Sequence, residues 1–174
     1  KRAGSPALLH CDAVQGFLKV PFTVKELGAD FVSVSGHKIH APKGIGALYV
    51  RSGIKIPSMI RGGGQENGLR SGTENTVGIA GFGAAAAAGM NTLSADTAKM
   101  RRLREGLIAR LAAELPEVRP NLPAGETAPH VLSLTLPRIK SQSALNALSA
   151  KGIFVSSGSA CSSHAKHTSP SLAA

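Results

Sequence analysis

The chain has 174 residues, 20 Lys and Arg against 10 Asp and Glu, and a formal net charge of +10. At 43% hydrophobic and 17% charged it holds enough apolar material for one packed domain or a small pair, which excludes wholesale disorder. Its two cysteines, Cys11 and Cys161, stand far apart, and its longest apolar run, Ala84 to Ala88, is far below the ~20 residues that span a bilayer, so a disulfide scaffold, a zinc finger and a membrane helix are excluded and a cytoplasmic protein is expected. Few aromatics (3%) point to a core of small residues.

In chain order, Ala7 to Asp12, Asp30 to Ser35 and Ile45 to Arg51 are apolar or β-branched runs that predict strands. Between the first two, Thr23-Val24-Lys25-Glu26 has the form of a capping box, opening a short helix that stops at Gly28. Strand, helix, strand predicts an α/β layer. The stretch Arg61 to Gly68 carries four glycines and is expected to be loop. Glu74 to Met90 predicts a helix of small residues, in which Gly78, Gly81 and Gly83 allow close approach to another element. From Asp96, the spacing of Met100, Leu103, Leu107, Ile108, Leu111 and Leu115 predicts a second, one-faced helix ending before Pro116. Loop residues then dominate to Pro129, followed by a strand over Val131 to Leu136, a helix from Ser141 (its cap) to Lys151, and a strand over Ile153 to Ser156. The boundary is placed near residue 92, giving a part of an α/β domain over 1–92 and a smaller α+β domain over 93–174. The start, a few residues before a strand, and the end, at Ser-Pro-Ser-Leu-Ala-Ala, read as cut.

Positive charge raises nucleic acid as a partner, but the one dense cluster, Lys99, Arg101, Arg102 and Arg104, lacks the interleaved aromatics that stack bases and reads as the solvated side of a helix. The informative segment is Ser35-Gly36-His37-Lys38, a polar turn carrying a lysine directly after a strand, where open sheets place ligands. Partial desolvation makes such a lysine a nucleophilic amine. Asp12 ends an earlier strand, with Gln15 just beyond. A strand-end acid facing a strand-end lysine suits pyridoxal phosphate: the lysine forms the Schiff base and the acid keeps the pyridine nitrogen protonated.

Five motifs, in order, carry a resemblance: His10-Cys11-Asp12-Ala13-Val14-Gln15; Ser35-Gly36-His37-Lys38; Pro42-Lys43-Gly44-Ile45-Gly46; Gly62-Gly63-Gly64-Gln65-Glu66 with Arg70-Ser71-Gly72-Thr73-Glu74-Asn75; and Ser156-Ser157-Gly158-Ser159-Ala160-Cys161. Together they closely resemble cysteine desulfurases, the NifS-like group of the class V aminotransferase superfamily. The resemblance implies the C-terminal part of a fold-type I pyridoxal-phosphate transferase large domain plus a smaller domain, with pyridoxal 5'-phosphate as cofactor. It implies Lys38 as the Schiff-base lysine, Asp12 as partner of the pyridinium nitrogen, Gln15 as donor to the phenolic oxygen, and Ser35 and His37 as phosphate holders. Thr73 would reach the cofactor phosphate of the other subunit of a homodimer. The implied reaction converts L-cysteine to L-alanine, Cys161 taking the sulfur as a persulfide and passing it to an acceptor such as an iron–sulfur scaffold protein. No membrane, nucleic acid or metal is implied.

Cys161 lies among small residues that predict a mobile, exposed loop, the setting of a thiol that visits a site and leaves again. The spacing Cys161-x-x-His164-x-x-His167 raises a zinc site but lacks a fourth ligand. Cys11, inside a strand, reads as a small hydrophobe, and His40 as a loop residue without catalytic duty. Against the resemblance the chain is short: the phosphate loop, the ring-stacking His and a phenolic-oxygen Asn expected upstream, and the carboxylate-binding Arg expected downstream, are not in it. The reading is therefore a fragment of the enzyme. Two alternatives stand beside it: selenocysteine lyase or another class V enzyme, and a non-catalytic relative acting as an interaction protein.

Overall fold

The computed structural model describes residues 5–157 and divides into two compact units, Lys1–Met100 and Arg101–Ala174. In the first, three strands form one sheet in the order β1 (His10–Asp12), β2 (Phe31–Ser35), β3 (Gly46–Val50). The pair β1–β2 is parallel, with Cys11 opposite Val32 and Asp12 opposite Ser33, and β2–β3 is antiparallel, with Val32 opposite Tyr49. The parallel pair is joined through α1 (Val24–Leu27). The capping box at its start is complete: Thr23 Oγ1 accepts from Glu26 N at 3.1 Å, and Glu26 Oε2 accepts from Thr23 N at 2.8 Å. Gly28 closes the helix at φ 53°, a left-handed conformation that glycine adopts without a Cβ clash.

Strand alternation decides the faces. Cys11, Val32 and Val34 pack with Ala13, Ala29, Phe22, Val24 and Leu27, a core of small residues under the short helix. His10, Asp12, Ser33 and Ser35 therefore occupy the opposite face. At the amino ends of the parallel strands the fully buried Asp30 ties all three together. Its Oδ2 accepts from Leu9 N at 2.7 Å, its Oδ1 meets Arg51 Nε at 2.8 Å, and its carbonyl accepts from Arg51 N at 2.8 Å. This clamp shortens the expected strand Ala7 to Asp12 to three residues, because the Leu9 carbonyl accepts from Asp30 and Phe31 and the ladder starts there.

The two helices expected over Glu74–Met90 and from Asp96 are one, α2 (Thr76–Glu114). The intervening Asn-Thr-Leu-Ser-Ala holds weak helix formers but no Pro or Gly, and such residues cost only about 0.5 kcal/mol each, too little to stop a helix. Within the first unit, the expected close approach holds at Gly81, where a Cβ would lie 2.9 Å from Pro42 Cδ; at Gly83 nothing stands within 4 Å, and the corresponding contact falls instead at Gly89, against Leu18. Thr97 Oγ1 donates to Lys19 O at 3.2 Å, and Phe17 meets Phe82 at 6.2 Å between ring centroids.

In the second unit, β4 (Arg119–Pro120) pairs antiparallel with β5 (Leu134–Thr135), braced by Asn121, which donates to Ser133 Oγ and accepts from Thr135 Oγ1, both at 3.0 Å. The strand expected over Val131 to Leu136 shrinks to two residues because its partner is only that long. Pro120 removes a donor from the ladder, which an edge strand tolerates. The cap of α3 (Ser141–Ser149) lies one residue earlier than expected: Lys140 holds the cap position without a side-chain bond, and Ser141 is the first helical residue. Ile153 to Ser156 takes no strand conformation: Ile153 N donates to Leu148 O at 2.9 Å at the close of α3, and Phe154 is 84% exposed. Arg104 donates to Thr127 Oγ1 at 2.7 Å and Ala128 O at 2.8 Å, and Arg101 pairs with Glu126 at 3.8 Å, so half of the basic cluster is engaged within its own unit. Among the described residues no helix is long and apolar enough to cross a membrane, and no three potential metal ligands cluster.

Candidate functional site

Because β1 and β2 run parallel, their carboxyl ends share one edge of the sheet. At that edge β1 ends in the exposed Asp12, whose Oδ1 accepts from Val14 N at 3.0 Å. This Asx-type turn fixes the carboxylate at the strand end and leaves Oδ2 without a hydrogen-bond partner among the described residues. The chain then coils tightly, Gly16 and Phe17 both donating to the Ala13 carbonyl, with Gln15 exposed on the coil.

Next to it, β2 ends at Ser35 and passes directly into a 3-10 turn, Gly36–Ile39, that carries His37 and Lys38. Gly36 is buried, and a Cβ there would lie 2.7 Å from Ile45 Cγ2 and 3.0 Å from Ile45 O, so the turn closes only on a glycine. Ile39 anchors the turn in the interior at 4% exposure. His40 ends it at φ 68°, its N–H returned to the Gly36 carbonyl, so its role in the structure is that of a turn terminator. Ser35 Oγ and His37 Nδ1 are hydrogen-bonded at 2.8 Å. Lys38 is half-buried and has no ion-pair partner among the described residues. Lys43, the nearest other lysine, is exposed on the following turn at Gly44, φ 79°.

The edge thus gathers Asp12, Gln15, Ser35, His37 and Lys38. Thr73 does not join them through any hydrogen bond. It lies exposed where the glycine-rich loop ends. That loop is knit to itself: Ser71 N donates to Ile60 O at 3.0 Å, Gly72 N to Gln65 Oε1 at 3.1 Å, and Arg70 Nη1 to Gly72 O at 2.9 Å. Just beyond, Asn75 Oδ1 accepts from Gly78 N at 2.9 Å and caps α2, a cap that the expectation of a helix from Glu74 overlooked although Asn before a helical run is its ordinary signal. Cys11 is half-buried against the core, as its strand position implies. Cys161, His164 and His167 lie outside the described residues. Sequence reasoning also missed one pair on the face that carries Asp12: His10 Nε2 and Ser33 Oγ are 3.1 Å apart.

An acid, an amine and a hydroxyl–imidazole pair at one sheet edge form a donor set for a ligand that combines a basic ring nitrogen, a carbonyl carbon and an anion. The chain is 42% identical over 156 residues to the cysteine desulfurase IscS of Clostridium botulinum strain Hall, covering 88% of this chain and 39% of that protein. It is 42% identical over 157 residues to a cysteine desulfurase of Trichormus azollae, covering 90% and 39%. Among solved structures, a NifS-like protein from Rickettsia africae superposes with a TM-score of 0.81 at 40% identity, covering 88% of this chain and 42% of that one. The chain therefore spans about two fifths of the length of the curated relatives it matches, and its mixed α/β layer is part of the NifS-like fold. The family model for aminotransferase class-V matches residues 1–173, and the chain belongs to that family.

Proposed function

We propose that this chain is the lysine-bearing part of a pyridoxal-phosphate-dependent cysteine desulfurase. The observation that carries the reading is the placement of Asp12 and the Lys38 turn at the carboxyl ends of adjacent parallel strands. The residues present fit the cofactor. Asp12 keeps one carboxylate oxygen free for the ring nitrogen, Lys38 offers an amine to the aldehyde carbon, and Gln15 offers an amide to the phenolic oxygen. Ser35 and His37, paired at 2.8 Å, offer the phosphate one donor, the hydroxyl or the ring N–H that their mutual bond leaves free. Thr73 would meet the phosphate held by the other subunit of a homodimer. When bound, pyridoxal phosphate supplies an electron sink for the bond broken at the substrate's α-carbon.

The chain's own residues do the rest. Asp12 would hold a proton on the ring nitrogen, because a neighbouring carboxylate favours the charged form. The Lys38 amine would carry a proton to and from the substrate's α-carbon. Cys161 takes the sulfur of L-cysteine as a persulfide, L-alanine is left, and the sulfur passes to an acceptor protein such as an iron–sulfur scaffold. The surroundings are cytoplasmic, where the thiol stays reduced.

The test is product analysis of the full-length protein loaded with pyridoxal phosphate and given L-cysteine. Alanine and protein-bound persulfide formed one for one are expected. Alanine from selenocysteine but not from cysteine would replace the reading with a lyase. A protein that takes up no cofactor would replace it with a non-catalytic one.

A further inference from the structure

The strand that presents Asp12 is only three residues long and, among the described residues, is paired on one side only, to β2. Three residues give the backbone ladder little control over twist at the strand end, so side-chain bonds across the pair matter more than usual. One such bond exists on the face that carries Asp12. His10 is opposite Phe31 and Asp12 is opposite Ser33, so the 3.1 Å bond between His10 Nε2 and Ser33 Oγ runs diagonally, from the residue two before Asp12 to the residue facing it. The His10 ring is held from a second side, edge-on to Phe31 with centroids 6.4 Å apart and planes at 81°. Asp12 itself has only the local bond from Val14 N to its Oδ1, which sets its rotamer but not its lateral place on the sheet.

The geometry points to His10 and Ser33 as positioning residues for Asp12: their cross-strand bond fixes the pleat that sets the free carboxylate oxygen where the ring nitrogen of pyridoxal phosphate is to be met. Neither touches the reacting atoms. The inference rests on the cofactor reading given above. A brace of this kind acts through placement, so its loss changes the electrostatic environment of the bound cofactor more than it changes the stability of the sheet.

The experiment uses the full-length protein and pyridoxal phosphate itself, reading the visible absorbance band of the bound cofactor, its dissociation constant, and the melting temperature without cofactor. The variants are His10→Phe, Ser33→Ala, their double, Ser33→Thr and Asp12→Asn. A hydrogen bond of this strength corresponds to about a two- to tenfold change, so each single variant is expected to weaken cofactor binding by that factor and to displace the band in the direction of Asp12→Asn. The double is expected to be no worse than the more affected single, Ser33→Thr to behave as wild type, and the cofactor-free melting temperature to stay unchanged. Unmoved band and affinity in both single variants, or additive losses in the double, overturn the inference. If Asp12→Asn itself leaves the band unmoved, the cofactor reading fails and takes the inference with it.

Discussion

The buried end of the sheet supports a quantitative test. Asp30 is 0% exposed and Arg51 is 52% exposed, so the two halves of their 2.8 Å pair are unequal. Removing the acid by Asp30→Asn leaves a guanidinium that water can reach, and the amide oxygen still accepts from Leu9 N, which makes the loss about 1–2 kcal/mol. Removing the base by Arg51→Ala leaves a carboxylate that water does not reach. Breaking a buried pair from that side costs about 3 kcal/mol, the lower part of the usual range, because the carboxylate keeps its other interactions, the Leu9 N–H bond at 2.7 Å among them. The substitution at the exposed residue should thus be the more damaging one. Adding Asp30→Asn to Arg51→Ala removes the buried charge altogether and should recover about 1 kcal/mol. In thermal unfolding, about 3 kcal/mol corresponds to a fall of about 6–12 °C for a chain of this size. Urea unfolding of the two singles and the double closes the cycle. The reasoning is refuted if Arg51→Ala lies within about 0.5 kcal/mol of wild type, or if the double is less stable than Arg51→Ala alone.

Four further outcomes follow from the site and its supports. Lys38→Ala in the full-length protein should abolish borohydride-reducible attachment of pyridoxal phosphate and reduce cysteine turnover to background, whereas Lys43→Ala should retain both. Cys161→Ser should keep the cofactor's absorbance band and its response to L-cysteine yet form no persulfide, read by mass spectrometry, because a hydroxyl neither attacks sulfur at neutral pH nor holds it afterwards. Gly36→Ala should destabilise by about 1–3 kcal/mol in urea unfolding and weaken cofactor binding as well, since its Cβ would press on Ile45 Cγ2 at 2.7 Å in a turn with no room. Glu26 has its carboxyl held below the ordinary value of 4.5, first by the Thr23 hydroxyl and then by the Thr23 N–H; a lowered acid stabilises above its unfolded pKa and loses that contribution as pH falls through its folded one, so the protection of the Thr23 amide relative to its intrinsic exchange rate should fall on acidification below the ordinary value, and lose that dependence in Glu26→Gln.

What the sequence made legible was local. Thr23-x-x-Glu26 is a complete signal within four residues, and the structure carries both of its bonds. The strand–helix–strand order carried the parallel pairing of β1 and β2, and that pairing alone brings Asp12 and the Lys38 turn to one edge. Long-range terms were not legible. The Ile153 to Ser156 run has strand composition, but its first N–H is spent on the Leu148 carbonyl that closes α3 rather than on a ladder. The small-residue run and the amphipathic run on either side of residue 92 differ in composition, which suggests a break, whereas backbone continuity depends only on the absence of Pro and Gly between them. The His10–Ser33 and Asp30–Arg51 pairs both depend on strand register, which spacing along one chain does not express.

The two carboxylates at the opposite ends of the sheet show why register matters for function. Asp30 spends both oxygens on the fold, one on Leu9 N and one on Arg51, and no solvent reaches it. Asp12 gives one oxygen to Val14 N, keeps the other open and remains exposed. An acid that has to bind a ligand must be desolvated by that ligand rather than by the protein, otherwise the protein has already used the interaction that binding needs. Such an acid cannot also hold the strands together, so the clamp has to lie elsewhere, and on a sheet of three short strands the remaining place is the far end. Burying Asp30 there leaves the carboxyl edge free to present Asp12, Ser35, His37 and Lys38, and makes the half-buried lysine the group whose surroundings a ligand completes.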